Sequence, residues 1–169
     1  IKVGLSNGQF VYLKDNSAIN TDASFYSLEI VPSLVNAMGF AELVDNSFNS
    51  YKINSTFVVF YNVGNSRISF TQPLNVSGVN LSSDVRLGFN YVDVNSVLSP
   101  GLNRSAIIAF ERIPTNLVNA TIYRDGVPCP LNICVNLTPL NAGTVVFNVT
   151  GWTNYSIGAS GGNFSSDNS

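Results

Sequence analysis

The sequence of 169 residues contains no histidine and few charged residues. Without histidine the chain lacks the commonest general base and metal ligand, which excludes Ser-His-Asp and Cys-His catalytic arrangements. Charged residues make up 11% of the chain, against roughly 25% in a typical soluble domain. The net charge of −2 provides no electrostatic footprint for nucleic acid or for anionic lipid. Asparagine, serine and threonine therefore carry most of the polarity.

Several motifs are also missing. No segment approaches the roughly 20 apolar residues of a membrane helix, so no direct membrane insertion is expected. No signal peptide precedes the body, and we expect Ile1 to be a processed N-terminus or an artificial boundary. There is no phosphate-binding loop or dinucleotide fingerprint, and no pair of carboxylates stands out as a glycosidase would require. We expect no enzyme activity and no cofactor, apart from covalent N-glycans.

Two polar features are candidate sites of chemistry. The segment 45–49, DNSFN, offers oxygen ligands but lacks the glycine and terminal glutamate of a calcium loop, so it indicates a polar turn and no metal site. An autocatalytic Lys–Asn crosslink at Lys14 or Lys52 is an alternative for which the sequence identifies no partners.

The only two cysteines, Cys129 and Cys134, flank a four-residue loop. No further cysteine or histidine is present to complete a zinc site. We expect a local disulfide that contributes about 2 kcal/mol by the loop-entropy argument. A pair of free thiols is the alternative.

Potential N-glycosylation sites are frequent. The chain holds 23 asparagines, and N-x-[ST] sequons occur about twice as often as chance placement predicts, which is typical of an exported chain. Accidental matches in a chain rich in Asn, Ser and Thr are the alternative. The sequons are Asn54, Asn75, Asn80, Asn103, Asn119, Asn136, Asn148, Asn154 and Asn163.

Most sequons have a bulky apolar middle residue. In a strand, the asparagine and the Ser/Thr two positions later share one face, while the middle residue points to the other. We therefore expect glycans on the outward faces of strands. The prediction is exposure of Asn75, Asn119, Asn136 and Asn148, and burial of Val76, Ala120, Leu137 and Val149.

About ten short apolar runs alternate with Gly, Pro and Asn turns along the chain. This pattern predicts an all-β fold, a β-sandwich with an immunoglobulin-like or jelly-roll arrangement. The segment 33–45 is ambiguous, since its apolar spacing suits a short helix but Gly39 lies inside it.

The first fourteen residues, IKVGLSNGQFVYLK, contain two alternating strands. Ile1, Val3 and Leu5 form one apolar face, and a turn at Ser6-Asn7-Gly8 separates them from the second strand. The first strand either pairs within its own domain or completes the sheet of another copy by strand addition.

The stretch IKVGLSNGQFVYLKD is similar in layout to the start of bacterial type-1 pilins: a donor strand, a glycine-containing hinge and the first strand of the domain. The local disulfide departs from those pilins, whose disulfide usually bridges distant strands. With its dense sequons, few charges and absent histidine, the whole chain resembles the subunit of the archaeal thread. This heavily glycosylated filament joins its subunits by donor-strand complementation. An archaeal bundling pilus of different fold is a close relative of this hypothesis.

The resemblance implies a donor strand and hinge over residues 1–8, with Asn7 and Gly8 as the hinge, and a pilin-like β-sandwich head over residues 9–169. Ile1, Val3 and Leu5 would enter the next subunit while Gly4 faces outward. It also implies an extracellular head-to-tail homopolymer at the cell surface, serving adhesion or biofilm formation. Residues 1–6 are then expected not to pair within their own body.

Two other functions remain open. A glycosylated ectodomain, such as a surface-layer component, an adhesin or a viral spike fragment, would keep residues 1–6 paired within its own domain. A secreted carbohydrate-active enzyme is the third possibility. A polymer that resists mild denaturation would distinguish the filament from these.

Overall fold

A computed structural model describes residues 1–6, 8–19, 21–22, 24–32 and 39–159. The chain is predominantly β-structure, as its alternating apolar and polar residues predict. In its first half the strands are β1 (Lys2–Leu5), β2 (Gln9–Lys14), β3 (Ser17–Ala18), β4 (Leu28–Pro32), β5 (Gly39–Val44), β6 (Ser47–Phe48), β7 (Tyr51–Ser55), β8 (Phe57–Asn62), β9 (Ser66–Phe70) and β10 (Leu74–Gly78).

The second half begins with a one-turn helix, α1 (Leu81–Asp84), and contains a 3₁₀ turn at Pro100–Leu102. Asn80 caps α1, because its side-chain oxygen accepts a hydrogen bond from the Ser83 N–H at 3.2 Å. The strands are β11 (Val85–Gly88), β12 (Tyr91–Val94), β13 (Ala106–Phe110), β14 (Ala120–Arg124), β15 (Val127–Pro128), β16 (Cys134–Asn136), β17 (Val145–Val149) and β18 (Asn154–Ala159).

The N-terminal third is a stack of parallel strands. β1 pairs in parallel with β4, and β4 with β7. β2 pairs in parallel with β5, and β5 with β8, while β3 pairs in parallel with β6. We call β1, β2 and β3 the first rung, β4, β5 and β6 the second rung, and β7 with β8 the third rung. Each rung lies on the one that follows it in the chain.

The remainder of the chain pairs antiparallel. The sheet that begins with β2, β5 and β8 continues through β9, β13 and β17 to β16, and the sheet of β1, β4 and β7 ends with β10. β11, β12, β18, β14 and β15 form a separate antiparallel sheet. β2 and β16 are therefore the two edges of the longest sheet.

One hydrophobic core joins the sheets. Ile30 and Ile53 from the first sheet, Phe110 and Phe147 from the longest sheet and Tyr155 from the third belong to the same buried cluster. A chain of ring contacts crosses it, with centroid distances of 5.6 Å for Phe110–Phe147 and 6.2 Å for Phe147–Tyr155. Aromatic pairs at these distances add to the stability gained by burial.

The tryptophan lies at the other end of this chain of rings. Trp152 contacts Phe70 at 5.5 Å and Tyr155 at 6.0 Å between centroids, and it is 3% exposed. Its indole N–H donates to the Arg104 carbonyl oxygen at 2.6 Å. Burial of the ring therefore leaves its one polar group satisfied.

The all-β class predicted from the sequence is confirmed, but the parallel stack was not predicted. Gly39–Val44 is strand β5, so the helical alternative is wrong for that part of segment 33–45. Residues 33–38 lie outside the described ranges. Leu81–Asp84 is the one-turn helix α1.

Candidate functional site

The first strand lies at the edge of its sheet and faces the core with alternate residues. Leu5 is 1% exposed, and Val3 packs against the core as a half-buried residue. Ile1 is 47% exposed, and Gly4 is exposed. The alternation expected from the sequence thus holds for Val3, Gly4 and Leu5, while Ile1 lies outside the core.

Hydrogen bonds and an ion pair hold this strand to β4. The Ile1 ammonium group donates to the Ser27 carbonyl oxygen at 2.8 Å, and the Glu29 N–H donates to the Ile1 carbonyl oxygen at 2.8 Å. Lys2 and Glu29, which are register partners, form an ion pair at 3.1 Å. The Lys2 side chain is largely exposed, so this pair contributes little to stability and mainly fixes register.

The prediction that residues 1–6 do not pair within their own body is wrong in this structure. β1 pairs with β4 of the same chain from Lys2 to Leu5. The physical reason is proximity: a strand connected by a short turn meets its own sheet edge at high effective concentration. An edge left open would expose unpaired backbone groups and apolar surface.

The turn after β1 is compact. The Gln9 N–H donates to the Ser6 carbonyl oxygen at 3.1 Å, and the Ser6 N–H donates to the Gln9 side-chain oxygen at 2.7 Å. Gly8 has a φ of +72°, a conformation that favours glycine. Asn7, the other predicted hinge residue, lies outside the described ranges.

Gly39 is a residue of this site that sequence reasoning missed. A Cβ atom at Gly39 would lie 2.5 Å from Leu5 Cδ1 and 2.7 Å from Leu5 Cβ. The missing side chain of Gly39 therefore provides the space that Leu5 fills. The signal in the sequence was a lone glycine in an apolar run. Such a glycine marks a place where another part of the chain packs closely as readily as it marks the end of a helix or strand.

The first rung and the segment that follows it also expose apolar side chains. Large exposed apolar residues are usually scattered singly, so a concentration of them marks a contact surface. In the first rung and the segment that follows it, the exposed large apolar residues are Ile1, Phe10, Tyr12, Ile19, Phe25 and Tyr26.

The predicted glycosylation sites lie on the surface, with differences in detail. Asn75, Asn80, Asn103, Asn119 and Asn136 are exposed, whereas Asn54, Asn148 and Asn154 are half-buried. Asn163 lies outside the described ranges. The prediction of exposure thus holds for Asn75, Asn119 and Asn136 and only in part for Asn148.

The predicted burial of the middle residues holds for Val76 and Val149, whose exposed fractions are 5% and 0%. Ala120 is half-buried. The prediction for Leu137 is wrong, since this residue is 53% exposed. Leu137 follows the end of β16 at an edge of the longest sheet, where no further strand covers it within the described ranges.

The disulfide prediction is confirmed: Cys129 and Cys134 are bonded, with their Cα atoms 6.0 Å apart. The bond links the end of β15 to β16, so it connects the edges of two sheets. Val127, Leu131 and Val135 are exposed around it.

A buried polar cluster lies between the first sheet and α1. Asp84 accepts hydrogen bonds from the Tyr51 and Ser99 hydroxyls, each at 2.8 Å. All three residues are buried. Burial, the largest cause, raises the pKa of Tyr51 well above its usual range. The cluster is fully hydrogen-bonded, and we read it as a structural element of the core.

A cleft of about 250 Å³ lies between β5, β8 and α1. Its apolar floor includes Leu43, Phe60 and Leu81. Its polar side chains are already engaged: Asn62 donates to Asp45 at 2.9 Å, and Arg86 pairs with Asp93. The cleft presents no arrangement that performs a recognisable reaction.

Asp45 and Asn46 form a polar bend before β6, whereas Ser47 and Phe48 of segment 45–49 lie in that strand, with Phe48 buried. Within the described ranges, no three His, Cys, Asp or Glu side chains cluster as a metal site requires. Across that same part of the chain, no helix has the length and apolar character needed to cross a membrane.

Tyrosine burial predicts an alkaline limit to stability. Burial, the largest cause, raises the pKa of Tyr155 to about 12 and raises that of Tyr51. Below about pH 10, where an unfolded tyrosine also keeps its proton, the stabilisation is fully present. Above it the unfolded chain releases protons first, so the free energy of unfolding should fall as pH rises toward the folded pKa values.

Urea midpoints measured between pH 8 and pH 12 check this expectation. Tyr155→Phe should flatten the decline above pH 10, although it also removes the hydrogen bond from the Tyr155 hydroxyl to the Gly151 carbonyl oxygen. The exposed Tyr12 supplies the control, since Tyr12→Phe should leave the slope unchanged. Equal slopes for all three proteins would contradict the prediction.

No protein-family model, curated protein or solved structure matches this chain.

Proposed function

We propose that this chain is a structural subunit of an extracellular, glycosylated surface filament that grows head to tail by exchange of its N-terminal strand. The supporting observation is that β1 is a terminal strand whose only strand partner, in the described part of the chain, is the edge of β4. The same backbone bonds and the same Leu5 site are available to the β1 of another copy.

The energetics favour exchange at high concentration. An exchanged strand makes the same contacts in the neighbouring copy as in its own chain. The equilibrium between the exchanged and the unexchanged state therefore depends mainly on the segment that connects the strand to its own chain and on the protein concentration. A burial such as that of Leu5, which is 1% exposed, contributes about 1.5–3 kcal/mol in either state. When each copy gives its strand to one neighbour and receives a strand from a different one, the contact is heterologous, and the array grows as a filament as long as its rotation does not close a ring.

The decisive experiment locks β1 onto its own β4. Lys2 and Glu29 are register partners on adjacent strands. Neighbouring strands lie about 4.8 Å apart, which is within the Cα range of about 4.4–6.8 Å that permits a disulfide. The variant Lys2→Cys/Glu29→Cys, oxidised as a monomer, should form no filaments in electron micrographs, and reduction should restore growth. Filaments from the locked monomer would contradict strand exchange.

A second candidate is a glycosylated ectodomain that acts as a monomer. The pairing of β1 with β4 in the same chain favours it. This candidate predicts a monomer on sizing columns at every concentration, whether or not β1 is locked, and no filaments in the native material.

The glycosylation that both candidates share can be measured by glycopeptide mass spectrometry. We expect glycans on the exposed sequons, among them Asn80, Asn103 and Asn119. Asn54 and Asn75 are register partners on β7 and β10, with Cβ atoms about 5 Å apart. The two sugars would collide, so peptides should show one of this pair occupied, not both. Empty exposed sequons in native material would contradict an extracellular glycoprotein.

A further inference from the structure

All three strands of the first rung pair with the second rung. β1, β2 and β3 are each the terminal strand of their sheets, and their ladder partners outside the rung are β4, β5 and β6. β2 pairs with β5 along its whole length, from Gln9 to Lys14. The strand pairing of the first rung with the remainder of the chain thus passes through the second rung.

The corner between β2 and β3 is held in the same way. The Asn46 side chain donates to the Leu13 carbonyl oxygen at 2.8 Å and accepts from the Asn16 N–H at 2.9 Å. The Asp15 N–H donates to the Val44 carbonyl oxygen at 3.0 Å. Asn46 and Val44 belong to the second rung or its corner, so these bonds also join one rung to the next.

The two connections of the first rung differ. The turn between β1 and β2 is closed by reciprocal hydrogen bonds between Ser6 and Gln9. The connection to the second rung contains a local turn, in which Asp22 accepts hydrogen bonds from the Ser24 and Phe25 N–H groups at 2.8 and 3.2 Å. Its described residues between 19 and 26 are all exposed, Ile19 by 81% and Phe25 by 69%. Fully extended, eight residues such as 19–26 reach at most about 26 Å, whereas three residues such as 6–8 reach at most about 10 Å.

From this arrangement we propose that the unit exchanged between copies is the whole first rung, β1 to β3, and that the exposed residues described in the connection to β4 (19, 21–22 and 24–26) form the hinge. The partner is a second copy of this chain, whose second rung accepts the three strands. The inference rests on the proposed filament function and changes the boundary of the exchanged element from β1 to the rung.

The residues of the second rung, which would accept the exchanged strands, support a second copy of this chain as the partner. In the acceptor, Ile30 receives Val3 as its register partner, Glu29 pairs with Lys2, and Ala41 receives Val11. If β1 alone were exchanged, β2 would stay paired with β5 of its own chain. Only the tight turn after β1 would then connect the two copies. Exchange of the rung keeps that turn intact and extends the exposed segment instead.

Cysteine pairs oxidised within assembled filaments test which strands have crossed. Lys2→Cys/Glu29→Cys reports the β1–β4 contact, and Tyr12→Cys/Glu42→Cys reports the β2–β5 contact, since both are register pairs. The control pair is Tyr61→Cys/Arg67→Cys, on β8 and β9 within the body. Products are separated on a denaturing gel without reductant.

If the whole rung is exchanged, both reporter pairs should convert most of the monomer band into a covalent ladder, while the control pair remains a monomer. A ladder from the β1–β4 pair alone, with a monomer from the β2–β5 pair, would overturn rung exchange and leave exchange of β1. Filaments in which neither pair forms a ladder would overturn strand exchange altogether. Absence of filaments from the parent chain would overturn the proposed function itself.

Discussion

Replacing Leu5 by aspartate should release β1 from β4 and abolish filament growth. Leu5 is 1% exposed and fills the space above Gly39. Loss of the buried leucine costs about 1.5–3 kcal/mol, and enclosing an unpaired carboxylate in its place adds a larger desolvation penalty. The exchanged state suffers equally, because the strand would enter an identical site in the neighbour.

Urea unfolding and electron microscopy measure the two consequences of this change. The matched control is Val97→Asp, which introduces the same charge at an apolar residue that is 86% exposed and lies outside the first rung. The control should assemble as the parent does, with a nearly unchanged urea midpoint. Filaments of parental length from Leu5→Asp would show that assembly does not use this strand.

The alternation of the first fourteen residues predicted which side chains of β1 face inward, because a period of two follows from strand geometry alone. It placed Val3 and Leu5 toward the core and Gly4 toward solvent, as the structure has them. Alternation contains no information about the partner of a strand or its direction. The parallel pairing of β1 with β4 therefore could not be predicted from it.

The local sequence pattern also fails to predict where a strand ends and which strand lies at the edge of a sheet. Leu137 follows an apolar–polar alternation but lies beyond β16, so nothing in the described chain buries it. Asn119 has a φ of +49° and ends a turn before β14, although the run around it suggested a longer strand. Both differences arise from where the sheet stops, which depends on distant residues.

The glycine in the Leu5 site shows how a local signal can have two meanings. From sequence, Gly39 lowered the helical character of its segment. In the structure it lies in β5 and leaves room for a side chain that is far away in the sequence. Only the register between the rungs distinguishes a glycine that ends a helix or strand from one that makes room for a packed side chain.

A double-mutant cycle on Leu5 and Gly39 should show strong coupling. Gly39→Ala places a methyl group 2.5 Å from Leu5 Cδ1, and overpacking of this kind costs about 1–3 kcal/mol. Leu5→Gly removes both crowding atoms, Cδ1 and Cβ. It costs about 2–5 kcal/mol for the cavity and about 0.5–1 kcal/mol for a glycine within a strand. In the double variant the new methyl group fills part of that cavity, so the loss should be about 0.5–3 kcal/mol smaller than the sum of the single losses.

Mixing the two single variants extends this cycle from one chain to two. The first strand of the Leu5→Gly chain, which lacks the Cβ that would lie 2.7 Å from the new methyl group, fits the narrowed site of the Gly39→Ala chain. The Leu5 strand of the latter fits the unchanged Gly39 site of the former. If strands are exchanged, an equimolar mixture should therefore form filaments at a lower concentration than either variant alone, as light scattering and microscopy would show. Two chains that each keep their own strand would give a mixture with the average behaviour of its components, and that result would rule out exchange at this site.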